Sequence, residues 1–143
     1  MFKVGIITAS DKGSRGERED KSGELIKEIM SSNGYEVAEW KILPDERELI
    51  SKELINMSDD LKLDLILTTG GTGFSPRDWT PEATLDVIDR QAPGISEAMR
   101  YYSLQITPKA MLSRSVSGIR GETLIINLPG SPNFLPLENT RVE

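Results

Sequence analysis

Leu65-Ile66-Leu67-Thr68-Thr69-Gly70-Gly71-Thr72-Gly73-Phe74-Ser75-Pro76-Arg77-Asp78, followed by Trp79-Thr80-Pro81-Glu82-Ala83, is the stretch on which the fold turns. The apolar run predicts a buried strand. Thr80 and Pro81 predict the N-cap and first residue of a helix. The loop between them is rich in glycine, so backbone N–H groups lie bare to whatever approaches. A strand, a glycine loop and a helix in succession suit an anion, most often a phosphate. The same loop carries Asp78, a carboxylate of the kind that holds Mg²⁺.

Working outward, residues 2–8 form an apolar strand with both parities hydrophobic, as expected of a strand covered on both faces. A polar loop over 10–20 leads to a helix with Leu25, Ile26, Ile29 and Met30 on one face and Asn33-Gly34 as its stop. Residues 35–42 alternate and predict a strand nearer an edge. Pro44-Asp45 opens a helix whose core face is Ile50, Leu54, Met57 and Leu61. Beyond the glycine loop a helix is expected over about 81–90, with Leu85 and Ile88 inward. Another is expected over about 95–104, and a last buried strand over 124–128.

Strands alternating with helices predict an α/β fold, a three-layer αβα sandwich on a mostly parallel central sheet with right-handed crossovers. Ligands in such folds sit beyond the carboxyl ends of the strands, at the switch point. Three loops leave strand ends there: 8–11, 68–78 and 127–132.

Composition narrows the chemistry. The 143 residues fit one domain spanning 1–143. Histidine and cysteine are both absent. This excludes a Ser-His-Asp apparatus, thiolate chemistry, disulfides and imidazole-ligated zinc. What remains is carboxylates, Lys and Arg, hydroxyls, backbone dipoles and an oxygen-bound cation, an inventory suited to phosphoryl or nucleotidyl transfer. The net charge of −6 disfavours nucleic acid as a partner. No apolar run is long enough to cross a bilayer and no signal-peptide pattern opens the chain, so a cytoplasmic location is expected. Cations that could gather around an anion are Lys12, Arg15, Arg77, Lys109, Arg114 and Arg120.

Each motif carries a plainer alternative. The glycine loop is neither a Walker loop nor a dinucleotide fingerprint. A tight turn without a ligand is its simplest explanation, but three glycines and three threonines over 68–73 exceed what a turn requires. Asp78 suits either a cation or the dipole at a helix start. Asp45-Glu46-Arg47-Glu48 has a capping-box pattern, so Asp45 is expected to cap its helix on local grounds. Both acids nevertheless follow strands, and together they could hold Mg²⁺ with triphosphate oxygens completing the shell. Trp40 and Trp79 are expected to pack.

Taken together, Thr68-Thr69-Gly70-Gly71-Thr72-Gly73, Pro76-Arg77-Asp78, Thr80-Pro81-Glu82-Ala83-Thr84, Leu43-Pro44-Asp45-Glu46, Met111-Leu112-Ser113-Arg114-Ser115, Gly118-Ile119-Arg120-Gly121 and Asn127-Leu128-Pro129-Gly130-Ser131-Pro132 closely resemble the molybdopterin adenylyltransferase family of MogA/MoaB and plant G-domain type. The resemblance runs from about Val4 to Pro132. It implies a trimeric enzyme of molybdenum cofactor biosynthesis that transfers AMP from ATP to molybdopterin and releases pyrophosphate.

It further implies Asp45 and Asp78 as catalytic, Mg²⁺-associated acids. Thr69, Gly70, Gly71, Thr72 and Gly73 are implied as the phosphate and pterin loop. Ser10, Asp11, Ser113, Arg114, Gly130, Ser131 and Pro132 are implied as further ligand-lining positions. A downstream partner protein would insert molybdate. Two rivals stand beside this expectation: a related nucleotide pyrophosphatase, and a pterin-binding protein without turnover. One departure is visible, because the chain from about residue 133 carries Pro136 where the family continues into a helix.

Overall fold

The computed structural model describes residues 1–128. In chain order the elements are β1 (Lys3–Ala9), α1 (Asp11–Ser14), α2 (Lys21–Ser32), β2 (Glu36–Leu43), α3 (Arg47–Ile55) and β3 (Leu65–Thr69). They continue as α4 (Thr80–Leu85), β4 (Arg90–Gln91), α5 (Pro93–Leu104), β5 (Ser117–Arg120) and β6 (Thr123–Leu128). A π-helical turn (Asn56–Asp60) extends α3, and a 3₁₀ turn (Pro108–Leu112) follows α5. The sheet runs β2-β1-β3-β6-β5-β4. Strands β2, β1, β3 and β6 run parallel to one another, while β5 pairs antiparallel with β6 and β4 with β5.

Strand parity sorts the core onto two faces. Ile7, Ile66 and Ile125 pack with Ile50, Leu54, Met57, Ala83 and Val87 beneath α3 and α4. Val4, Ile6, Leu67 and Ile126 pack with Ile26, Met30 and Met99 beneath α2 and α5. The result is the expected α/β sandwich. The edge placement of β2 also agrees with its alternating pattern.

Three expectations change. Leu61 is 43% exposed and Leu63 takes its place in the core. The π turn inserts extra residues into one helical revolution, so the apolar phase of α3 slips before Leu61 arrives. The helix expected over 81–90 stops at Leu85, and that side chain faces outward. Here Asp89 N–H leaves the helix to bond Ile119 O at 2.7 Å, and Arg90 and Gln91 join the sheet. Sheet pairing thus overrides local helix propensity. Finally, Trp79 is the N-cap of α4 and no side chain caps it; Thr80 lies inside the first turn.

The switch point falls between β1 and β3. From β1 the chain crosses to β2 on one side and then returns to β3 on the other. The loops after β1 and β3 therefore diverge from adjacent strand ends.

Candidate active site

Two glycines define the floor of the switch-point crevice. Gly70 has φ +89° and Gly71 φ +71°, the left-handed region where a Cβ is costly. A Cβ on Gly70 would strike the carbonyl oxygen of Ala9. On Gly71 it would strike the Thr80 hydroxyl and sit 3.3 Å from Asp45 Oδ1. The loop can therefore lie this close to β1 and to Asp45 only without side chains at those positions.

Around this floor is a cleft of about 590 Å³, lined by residues from β1 and its following loop, from the start of α2, and by Asp45, Thr69, Gly70, Gly71 and Asp78. Of the expected positions it collects Ser10, Thr69, Gly70, Gly71, Asp45 and Asp78. A second cleft of about 210 Å³ lies between the loop and α5, and takes Thr72, Gly73 and Ser113. Gly130, Ser131, Pro132 and the tail from 133 lie outside the described residues.

Asp45 does not cap α3. Glu46 occupies the N-cap position without a side-chain bond. The carboxylate of Asp45 instead accepts Asp11 N–H through Oδ2 at 3.0 Å, while Asp45 N–H donates to Asp11 Oδ1 at 2.9 Å. The capping-box pattern thus loses to a bond between two loops far apart in sequence. Burial raises the Asp45 carboxyl above its ordinary range, and the nearby charges of Asp11 and Asp78 add to the rise.

Asp78 is held by a reciprocal turn with Ser75. Its Oδ2 accepts Ser75 N–H at 2.8 Å, and its own N–H donates to Ser75 O at 3.0 Å. Among the described residues Asp45 and Asp78 each keep Oδ1 free of a hydrogen bond.

Asp11 lines neither cleft. Both its oxygens accept from the Arg77 guanidinium, at 2.7 and 3.0 Å. This holds the Asp11 carboxyl below the usual carboxylate range. Arg114 also lines neither. Its Nε donates to Gly73 O at 2.7 Å, its Nη2 to Asp78 O at 2.7 Å, and its Nη1 to Glu82 Oε2 at 2.6 Å. It braces the loop from behind. Of the other candidate cations, Arg120 pairs with Asp59 and Arg15 with Glu17, while Lys109 lines the second cleft.

Sequence reasoning missed the opposite wall. Arg18 and Lys21 line the larger cleft, as does Asp20. Asp20 caps α2 through Gly23 N–H at 2.9 Å and also accepts from Thr8 Oγ1 at 2.6 Å and Trp40 Nε1 at 3.0 Å. An acid just before the helical apolar pattern at Leu25 was a signal for the cap. Nothing in the spacing marked Arg18 or Lys21.

Residues 5–136 match the family model described as "Probable molybdopterin binding domain". The chain is 49% identical over 134 residues to a molybdopterin adenylyltransferase of Helicobacter pylori strain J99, covering 92% of this chain and 76% of that protein. Against the molybdopterin adenylyltransferase of Escherichia coli K12 the identity is 43% over 137 residues, with 94% and 70% covered. The crystal structure of the molybdopterin biosynthesis enzyme MoaB of Thermus thermophilus superposes with a TM-score of 0.88 at 54% identity, covering 94% of this chain and 84% of that one. The chain is a member of the molybdopterin-binding domain family of molybdenum cofactor biosynthesis.

Proposed function

We propose that this chain adenylylates molybdopterin with Mg-ATP, giving adenylyl-molybdopterin and pyrophosphate. The observation that carries this is the pairing of two acids across one bare-amide loop. Asp45 Oδ1 lies 3.3 Å from where a Cβ would stand on Gly71, and Asp78 Oδ2 lies 2.9 Å from the equivalent point on Gly73. The names of relatives 43–49% identical over most of the chain support the same reaction.

The residues suit a polyphosphate. Gly70 and Gly71 open the loop backbone to phosphate oxygens, and Arg18 and Lys21, set beside Glu19 and Asp20 in the cleft lining, are the cations available to them. Asp45 with its unbonded Oδ1 in the space that a Cβ on Gly71 would fill, and Asp78 with an unbonded Oδ1 beside the Oδ2 that nears Gly73, fit a hard cation that draws its remaining ligands from phosphates. Asp45 and Asp78 would hold it. When bound, Mg²⁺ neutralises charge on the transferring and leaving oxygens.

The nucleophile is the terminal phosphate of molybdopterin. One of its oxygens bonds to the α-phosphorus of ATP as the bond to the β-phosphate oxygen breaks, and pyrophosphate leaves. That oxygen is already anionic, so no base is needed and a chain without histidine suffices. The protein's part is alignment: the loop orients the phosphates while the clefts either side of it hold the two substrates.

A homotrimer, a cytoplasmic location shared with ATP, and a partner that inserts molybdate belong to the same reading. Exposed apolar side chains around the end of α5, among them Tyr101, Ile106 and Met111, support self-association. Pyrophosphate release from Mg-ATP and molybdopterin tests the reaction. Turnover is expected in the native chain and is lost in Asp78→Asn; release that ignores the pterin would identify a pyrophosphatase instead.

A further inference from the structure

We infer that Asp11, held by Arg77, is a positioning residue that aims the free oxygen of Asp45 into the larger cleft rather than a ligand to the substrate. The inference rests on the reading of Asp45 given above.

Three loops meet at this point: the one after β1, the one after β2, and the glycine loop after β3. Asp45 sits between two elements with no side-chain cap to anchor it. Its backbone N–H and its Oδ2 are both taken by Asp11, at 2.9 and 3.0 Å, which fixes the backbone and the carboxylate plane together. With Oδ2 turned toward Asp11 N–H, Oδ1 is left on the side of Gly71. Arg77 holds both Asp11 oxygens in a bidentate fork, Oδ1 also takes Asp45 N–H, and Asp11 lines neither cleft, so its carboxylate is committed to protein donors. Arg77 lies one residue before Asp78, so the fork also ties the loop bearing the second acid to the first. Its guanidinium stands 4.0 Å from Glu46 Oε1, on the far side of Asp45 in sequence. Asp11 thus acts on Asp45 by two routes, its backbone N–H turning the Asp45 carboxylate and its own carboxylate fixing the Asp45 backbone; outer partners that orient a metal-holding residue in this way typically contribute about 10–100-fold to metal affinity or activity.

The test compares Asp11→Ala, Asp11→Asn and Arg77→Ala in the full chain. Two quantities are read: kcat and KM for pyrophosphate release, and the affinity for Mn²⁺ by calorimetry with α,β-methylene-ATP present. Asp11→Ala is expected to lower kcat and weaken Mn²⁺ by about tenfold each, with KM for ATP within about twofold of native. Asp11→Asn keeps an acceptor for Asp45 N–H and is expected to recover most of both. Arg77→Ala, at an exposed position, is expected to shift both in the same direction by less than Asp11→Ala does.

Native kcat and Mn²⁺ affinity in Asp11→Ala would overturn the inference. So would a rise in KM for ATP with kcat unchanged, which would make Asp11 a ligand. A native chain that binds no Mn²⁺ would also overturn it. A native chain that binds Mn²⁺ but releases no pyrophosphate would sink the proposed reaction alone, and the Mn²⁺ comparison would then decide the role of Asp11.

Discussion

Arg114 Nη2 donates to the carbonyl oxygen of Asp78 at 2.7 Å, although 36 residues separate them. The same guanidinium bonds Gly73 O and the Glu82 carboxylate, and Arg114 N–H bonds Thr72 O at 2.9 Å. One half-buried side chain thus fixes the outer flank of the glycine loop, the acid that follows it and the first turn of α4.

Arg114→Lys follows from that geometry. An ammonium is a point charge and cannot serve three acceptors arranged for a planar fork. Loss of the charge-assisted bonds is expected to cost about 2 kcal/mol of stability and to lower pyrophosphate release. Urea unfolding and a turnover assay read the two effects; native stability in the variant would remove the bracing role.

Gly71→Ala isolates the close approach of loop and acid. The residue adopts φ +71°, and its Cβ would strike Thr80 Oγ1, itself buried and without a hydrogen-bond partner among the described residues. A cost of about 1–3 kcal/mol is expected for the strained backbone, together with weaker ATP binding. Thermal melting and calorimetry with ATP check both parts.

Asn127→Leu probes the buried polar knot behind the loop. Asn127 donates to Thr68 Oγ1 at 2.9 Å and Thr84 Oγ1 at 3.0 Å, and accepts from Val116 N–H at 3.0 Å. Asn127, Thr68 and Thr84 are fully buried and the Val116 bond is part-buried, so loss of these bonds together should cost about 1–3 kcal/mol. A melting temperature equal to the native one would show that the knot adds nothing net.

The pH dependence of Asp45→Asn has a definite sign. The folded protein raises the Asp45 carboxyl, so folding favours its protonated form. The ionisation penalty is absent below the unfolded value near 3.8. It grows as pH rises toward the folded value and is complete above it. Asp45→Asn removes that penalty while keeping an oxygen for Asp11 N–H. Its stability relative to native is therefore expected to increase with pH across this window and to stay higher at neutral pH, while turnover is lost. Denaturant titrations from pH 3 to 7 measure it; a difference that shrinks as pH rises would contradict the burial of Asp45.

Much of the site was legible because it lies in short, local signals. The apolar run of β3 passing into Gly70, Gly71 and Gly73, with Asp78 beyond, marks a loop that must approach something closely. The core faces of α2 and most of α3 follow from spacing alone. The misses have one cause. Leu61, Leu85 and Asp45 each obey a local rule that a distant partner or a change of helical phase overrides: the slip of the π turn, the sheet bond of Asp89 to Ile119, and the exchange of bonds with Asp11.

What the residues determined unaided was the class of chemistry. Without histidine or cysteine, and with a glycine loop followed by an acid, only charge stabilisation and positioning were open to this chain, since those depend on composition and nearest neighbours. Tertiary structure alone decided which groups face the cleft. It put Arg18 and Lys21 on the wall, turned Arg114 and Asp11 away from it to hold Asp78 and Asp45, and brought the loops after β1, β2 and β3 together. The reason is that a side chain's direction is set by the partner that satisfies its hydrogen bonds, and here those partners lie 34 to 66 residues away.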